Sequence, residues 1–162
     1  MAPDALYRAL HPFADPFDFI TASECYPMLA DGYRSDTARM ETLKPNWEMA
    51  NGAIYILPCA SWARRISGVF ANTLASREET RSFAVLTEST DGTYVVSVRS
   101  GKPLLRSANG FCGQFPTGGG RRGAAGINSL PASGLDCFVK AFSEYFGVGE
   151  KVCNGMAHAY PM

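Results

Sequence analysis

The feature that most restricts how this chain can fold is a glycine-rich segment in its C-terminal half. Seven of the seventeen residues in Gly110–Gly126 are glycine, among them the triplet Gly118–Gly120. A run of glycines costs backbone entropy, so it is expected where the backbone adopts unusual angles or approaches a ligand closely. Arg121 and Arg122 follow directly, and cations beside converging N–H groups are typical of an anion-binding loop. A flexible linker is the alternative, but the small residues and the apolar run that follow argue against it.

Charge is unevenly distributed along the chain, although the formal net charge is zero. Residues 1–91 carry eight basic and twelve acidic side chains, a net charge of −4. Residues 92–135 contain no Asp or Glu and five cations: Arg99, Lys102, Arg106, Arg121 and Arg122. A 44-residue segment without anionic side chains indicates a surface that binds anions, with an ordinary solvated basic face as the alternative.

Apolar periodicity predicts an α/β domain with a small mixed β-sheet and packed helices. The predicted strands are Ala53–Leu57, Phe83–Thr87 and Tyr94–Arg99, with a hairpin turn at Asp91–Gly92. The predicted helices are Trp62–Arg77, capped by Ser61, and Leu135–Phe146, with a capping-box-like start at Ser133 and Asp136 and an end at Gly147. Residues 1–34 lack clear periodicity and predict irregular segments with a short helix, followed by a helix that Ser35 or Asp36 caps.

A second motif, Ser97-Val98-Arg99-Ser100, lies at the end of the last predicted strand. Side chains alternate along a strand, so Ser97 and Arg99 are expected on one face, about 7 Å apart. An arginine at a strand end offers a rigid fork of donors that fits a phosphate, and a serine hydroxyl adds another donor. The alternative is a surface arginine on a half-buried strand.

The two motifs, in this order and spacing, resemble the DHHA1 domain, which follows the catalytic domain in DHH-family phosphoesterases. The resemblance covers roughly residues 47–147 and implies a DHHA1-like fold that binds a phosphate, a nucleotide or a nucleic-acid end. It implies as binding residues Ser97, Arg99, Ser100, Gly118, Gly119, Gly120, Arg121 and Arg122. The family usually has histidine after the glycines, whereas Arg121 can bind phosphate but cannot relay a proton near neutral pH.

Catalysis in that family needs Asp and His residues, including an Asp-His-His triplet, that hold two Mn²⁺ or Mg²⁺ ions. This chain has only His11 and His158, in no such motif, and Asp15 and Asp18 beside His11 are too few for a dinuclear site. We therefore expect residues 1–46 to be an extension that once faced a catalytic domain, 47–150 the substrate-binding domain, and 151–162 a tail. The chain alone is expected to be inactive, with the DHH domain supplied in cis or in trans.

Two further functions remain open from the sequence. A self-standing RNA- or nucleotide-binding module would rest on the segment without anionic side chains, with Phe111 and Phe115 to stack on bases. An enzyme of another type, such as a hydrolase with Cys112 as nucleophile or an acyltransferase with a glycine-rich phosphate loop, lacks an obvious base. Five scattered cysteines without a C-x-x-C pair predict reduced thiols in a cytoplasmic protein, and no apolar run is long enough for a membrane helix.

Overall fold

The computed structural model describes residues 2–103 and 106–147, so the predicted tail at 151–162 and His158 lie outside the described residues. The chain divides into two compact units, the first ending at Leu43 and the second beginning at Lys44. None of the described helices is long and apolar enough to cross a lipid bilayer.

The first unit consists of three helices, α1 (Pro3–Leu10), α2 (Pro16–Ala22) and α3 (Tyr26–Met40). Each helix has a proline in its first turn. Proline is favoured there because the N–H groups of the first turn make no intrahelical hydrogen bond. The prediction of mainly irregular structure over residues 1–34 is therefore wrong, because these prolines start helices. The prediction that Ser35 or Asp36 caps a helix is wrong as well, since both lie inside α3.

The second unit contains one sheet with helices on both faces. Its elements are β1 (Trp47–Met49), β2 (Gly52–Leu57), α4 (Ser61–Arg77), β3 (Ser82–Glu88), β4 (Thr93–Arg99), α5 (Ala108–Cys112), β5 (Gly118–Gly120), β6 (Ala124–Pro131), a short 3₁₀ turn (Ala132–Gly134) and α6 (Leu135–Phe146). In this part of the chain the strand order is β1-β2-β3-β4-β6-β5. β2 and β3 are parallel, and the other neighbours are antiparallel. The mixed sheet confirms the predicted fold class, and the three predicted strands lie within β2, β3 and β4.

Helix α4 connects the parallel strands β2 and β3, as a parallel pair requires. It buries Ile66, Phe70 and Leu74 along one side and packs against β3 and β4. Helices α5 and α6 cover the opposite face, where the main core lies. Neither predicted serine cap is used, because Ala60 precedes α4 and Gly134 precedes α6, each without a side-chain capping bond.

The predicted hairpin between β3 and β4 is confirmed. Gly92 has a φ of 76°, in the left-handed region that favours glycine. The Asp91 carboxylate accepts hydrogen bonds from the Thr93 hydroxyl and the Thr93 N–H. These bonds stabilise the ionised carboxylate and lower the pKa of Asp91.

The glycine triplet forms a strand and not the loop that the sequence suggests. Gly118–Gly120 pair with Ala125–Ile127 of β6, and Arg121 and Ala124 exchange both backbone hydrogen bonds around a two-residue turn. A Cβ at Gly118 would overlap the Cys112 carbonyl oxygen, and Gly120 has a φ of +142°. Two of the three glycines are therefore required by the fold.

Candidate functional site

The register of β4, β6 and β5 places the two predicted arginines in one row. Arg99 is directly opposite Ala124, and Ala124 forms a hydrogen-bonded pair with Arg121. Directly opposed residues share a face, and this face is opposite to the one that buries Val98 in the core. Because neighbouring strands are 4.7–4.9 Å apart, the Cα atoms of Arg99 and Arg121 are separated by about 10 Å.

The next row on the same face has almost no side chains. Ser97 of β4 is opposite Gly126 of β6, which is opposite Gly119 of β5. The glycine strip, formed by Gly119 and Gly126, leaves the backbone of two neighbouring strands uncovered. Together the rows form a shallow surface depression, here the sheet depression, whose lining includes Ser97, Arg99, Gly119, Arg121, Gly126 and Asn128.

The Arg99 side chain is half-buried and held in place by two hydrogen bonds. Its Nε–H donates to the Asn72 side-chain oxygen at 2.8 Å, and its Nη1–H donates to the Val98 carbonyl at 3.0 Å. Three of the five guanidinium N–H bonds therefore have no hydrogen-bond partner among the described residues. Burial lowers the pKa of Arg99, and repulsion by Arg121 lowers it further. An anion between the two guanidinium groups would relieve this repulsion.

Three of the predicted binding residues lie outside the sheet depression. The Ser100 hydroxyl donates a hydrogen bond to the Arg122 carbonyl at 3.1 Å, and the backbone N–H of Ser100 donates to the Gly123 carbonyl. The Arg122 carbonyl also accepts from the Ala108 N–H, which ties the β5–β6 turn to α5. Gly118, the third, donates its N–H to the Phe115 carbonyl.

The backbone donors of the glycine triplet are mostly used within the fold. Hydrogen-bonded and non-hydrogen-bonded pairs alternate along an antiparallel ladder, and Arg121 with Ala124 is a hydrogen-bonded pair. Gly119 is therefore bonded to Gly126, whereas the Gly120 N–H points away from β6 toward the edge of the sheet. The expected cradle of three N–H groups is reduced to one donor beside Arg121.

Sequence reasoning missed two polar residues of this region. Asn128 lies two residues beyond Gly126 on β6, so strand alternation alone was a sufficient signal to place it on the same face. Asn72 lies on α4 and reaches Arg99 through tertiary packing. No local pattern in the sequence indicates that contact.

Two residues on which the alternative functions depend, Phe111 and Cys112, are buried. Phe111 is fully buried and its ring contacts five other aromatic rings, Phe115 among them, so it is not available to stack on a base. Cys112 is also buried, and burial raises its pKa to about 12, which suppresses the nucleophilic thiolate. Among the described residues, no group of three or more His, Cys, Asp or Glu side chains is placed to hold a metal ion. Asp15 caps α2 by accepting the Phe17 N–H.

Neither a known protein family nor a curated protein matches the sequence of this chain. Its fold is similar to that of the C-Ala domain of Aquifex aeolicus alanyl-tRNA synthetase, with a TM-score of 0.52 and 14% identity over 65% of this chain and 100% of that chain. It is also similar to a pGpG-specific phosphodiesterase from Vibrio cholerae (TM-score 0.56, 14% identity, 88% of this chain and 50% of that chain). An exopolyphosphatase-related protein from Bacteroides fragilis is a third (TM-score 0.52, 18% identity, 90% of this chain and 39% of that chain).

The chain thus spans half or less of the length of the latter two proteins. At these identities the similarity concerns the fold. The DHHA1-like α/β fold that the sequence predicts, a small mixed β-sheet with packed helices, is confirmed.

Proposed function

We propose that the second unit is the substrate-binding domain of a DHH-family phosphoesterase and that its sheet depression binds the phosphate of a nucleotide or of a nucleic-acid end. The observation that carries this proposal is the pair of rows on the open sheet face. Arg99 and Arg121 lie on the two sides of Ala124 in one row, and the glycine strip lies in the next row. A ligand can therefore approach the backbone closely while two cations contact its charge.

The fold requires glycine at Gly126 but not at Gly119, and this difference supports the proposal that a ligand occupies the space above Gly119. A Cβ at Gly126 would lie 2.7 Å from the Val96 carbonyl oxygen, so that glycine is needed for packing. A Cβ at Gly119 would meet no atom within 4 Å, and Gly119 has no positive φ. The fold would accept a side chain at Gly119, and leaving the position empty lowers strand propensity. Space for a bound molecule explains why glycine is found there.

The donors around the sheet depression match a phosphate. Arg99 has three N–H bonds without partners among the residues described, and Asn72 fixes the orientation of its planar group. Arg121 is exposed on the opposite side, and Ser97 lies in the neighbouring row with the glycine strip. A dianion placed here would gain charge-assisted hydrogen bonds, which contribute about 1.5–3 kcal/mol each.

Hydrolysis is assigned to a separate catalytic domain. An arginine at position 121 supplies charge but cannot exchange a proton near neutral pH, so the sheet depression is suited to holding a substrate. Mn²⁺ or Mg²⁺ bound to a DHH domain, in cis or in trans, would supply the activated water. We propose that this domain binds an oligonucleotide, a nucleotide or another phosphorylated ligand in the cytoplasm. A self-standing RNA-binding module is the less favoured function, because Phe111 is buried.

Isothermal titration calorimetry in the presence of EDTA tests the proposal. The linear dinucleotide pGpG is the first probe, and GpG without the 5′-phosphate is its comparison. We expect pGpG to bind more tightly than GpG. Arg99→Ala and Arg121→Ala should each weaken pGpG binding by roughly ten- to a hundredfold, the equivalent of one lost charge-assisted contact.

The matched control is Arg64→Ala, since Arg64 is an exposed arginine on α4 outside the sheet depression. It should leave the affinity for pGpG unchanged. Equal affinity of pGpG and GpG, or binding that survives both site substitutions but is lost with Arg64→Ala, would overturn the proposal.

A further inference from the structure

Asn128 lies in the sheet depression at the end opposite to the two arginines. Ala124, Gly126 and Asn128 alternate along β6 and share its open face, and Asn128 is exposed. Four residues of extended strand at 3.2–3.4 Å each place Asn128 about 13 Å from the row of Arg99 and Arg121. This distance is comparable with the length of an extended nucleotide.

The surface between the arginines and Asn128 is suited to a planar ring. Gly119 and Gly126 lie side by side on neighbouring strands, so their peptide groups form a flat surface without Cβ atoms. Val95 lines the same depression, and 46% of its surface is exposed. A nucleobase lying flat on the glycine strip would bury part of this apolar side chain.

The backbone that carries Asn128 is irregular and firmly held. The register of β4 against β6 shifts between Tyr94 and Val96, so Asn128 and Ser129 together oppose Val95. Such bulges redirect side chains and are frequent next to functional sites. Thr117 fixes the bulge through three bonds: its carbonyl accepts the Asn128 N–H at 3.2 Å, and its hydroxyl bonds both the N–H and the carbonyl of Ser129 at 3.0 Å.

The side chain of Asn128, in contrast, makes no hydrogen bond within the described residues. We propose that Asn128 is a specificity-determining residue that recognises the base of the nucleotide bound in the sheet depression, with a preference for adenine. A carboxamide presents one donor and one acceptor side by side, which match the N7 acceptor and the N6 amino group of adenine. Guanine offers two acceptors at the same edge and fits the carboxamide less well. The inference rests on the proposed phosphate site.

Three probes that share one phosphate separate base recognition from phosphate binding. These are adenosine 5′-monophosphate, guanosine 5′-monophosphate and ribose 5-phosphate, each titrated calorimetrically into the whole chain. We expect the adenine nucleotide to bind about tenfold more tightly than the other two, as a modest bidentate base contact would give. Asn128→Ala should remove this difference and leave the affinity for ribose 5-phosphate unchanged.

Ser129→Ala is the control at the neighbouring position. Ser129 contacts Thr117 through its backbone N–H and carbonyl, which the substitution leaves in place. It should keep the preference for adenine. Equal binding of the three probes to the unmodified chain, or an adenine preference that persists in Asn128→Ala, would overturn this inference alone, provided that ribose 5-phosphate still binds in an Arg99-dependent manner. Failure of all three probes to bind would overturn the proposed function together with it.

Discussion

Replacing Gly119 with alanine separates the stability of the fold from binding at the same position. The added Cβ meets no atom within 4 Å, and the backbone of Gly119 has no positive φ. The folded state therefore accepts alanine, whereas the unfolded chain loses freedom. We expect the free energy of unfolding to rise by about 0.5–1 kcal/mol and the midpoint of thermal unfolding to rise by roughly 2–5 °C.

Binding should change in the opposite direction. The new methyl group would stand on the glycine strip, beside the row that contains Arg99 and Arg121. A ligand displaced from the strip by a methyl group loses at least one contact with these arginines. One lost charge-assisted hydrogen bond is worth about 1.5–3 kcal/mol, so the affinity for pGpG should fall by roughly ten- to a hundredfold.

The control for this prediction is the same substitution at Gly123, in the turn between β5 and β6. A Cβ at Gly123 also meets no atom within 4 Å, and its φ is not positive, but it does not line the sheet depression. Circular dichroism melts and calorimetric titrations of both variants make the comparison. The reasoning is refuted if Gly119→Ala binds pGpG as the unmodified chain does, or if its affinity falls only together with its melting temperature.

Three further predictions concern the packing, the thiols and the metal dependence. Gly118→Ala should lower the free energy of unfolding by about 1–3 kcal/mol in a thermal melt, because the new Cβ overlaps the Cys112 carbonyl oxygen; an unchanged melt would contradict this packing. Iodoacetamide at pH 8 should modify the exposed Cys59 and Cys137 but not Cys112, whose pKa is raised to about 12, and peptide mass spectrometry would reveal any labelling there. With Mn²⁺ and a p-nitrophenyl phosphodiester the chain should show no turnover, since its sequence lacks the Asp-His-His triplet; EDTA-sensitive turnover that survives further purification would contradict this.

The parts of the fold that the sequence predicts are those encoded by local patterns. The alternation of apolar and polar residues in β4 and the helical spacing of apolar residues in α4 are visible in the sequence because each element is buried on one side. The Asp91–Gly92 turn follows from the positive φ that glycine permits. The first unit was predicted poorly, because prolines that interrupt an apolar pattern also occupy the first turns of helices. Only the packed structure distinguishes these two uses of proline.

The glycine triplet shows why the candidate site could be predicted only in part. Glycine has a low strand propensity, so β5 forms because it pairs with β6. No local sequence pattern predicts this pairing. The sequence also presents Gly118, Gly119 and Gly120 as equivalent, although neighbouring atoms forbid a side chain at the first and a positive φ strains one at the third. Gly119 alone of the three lies under open space. Which of the three glycines the fold requires therefore depends on the atoms around each Cα, and tertiary packing sets these.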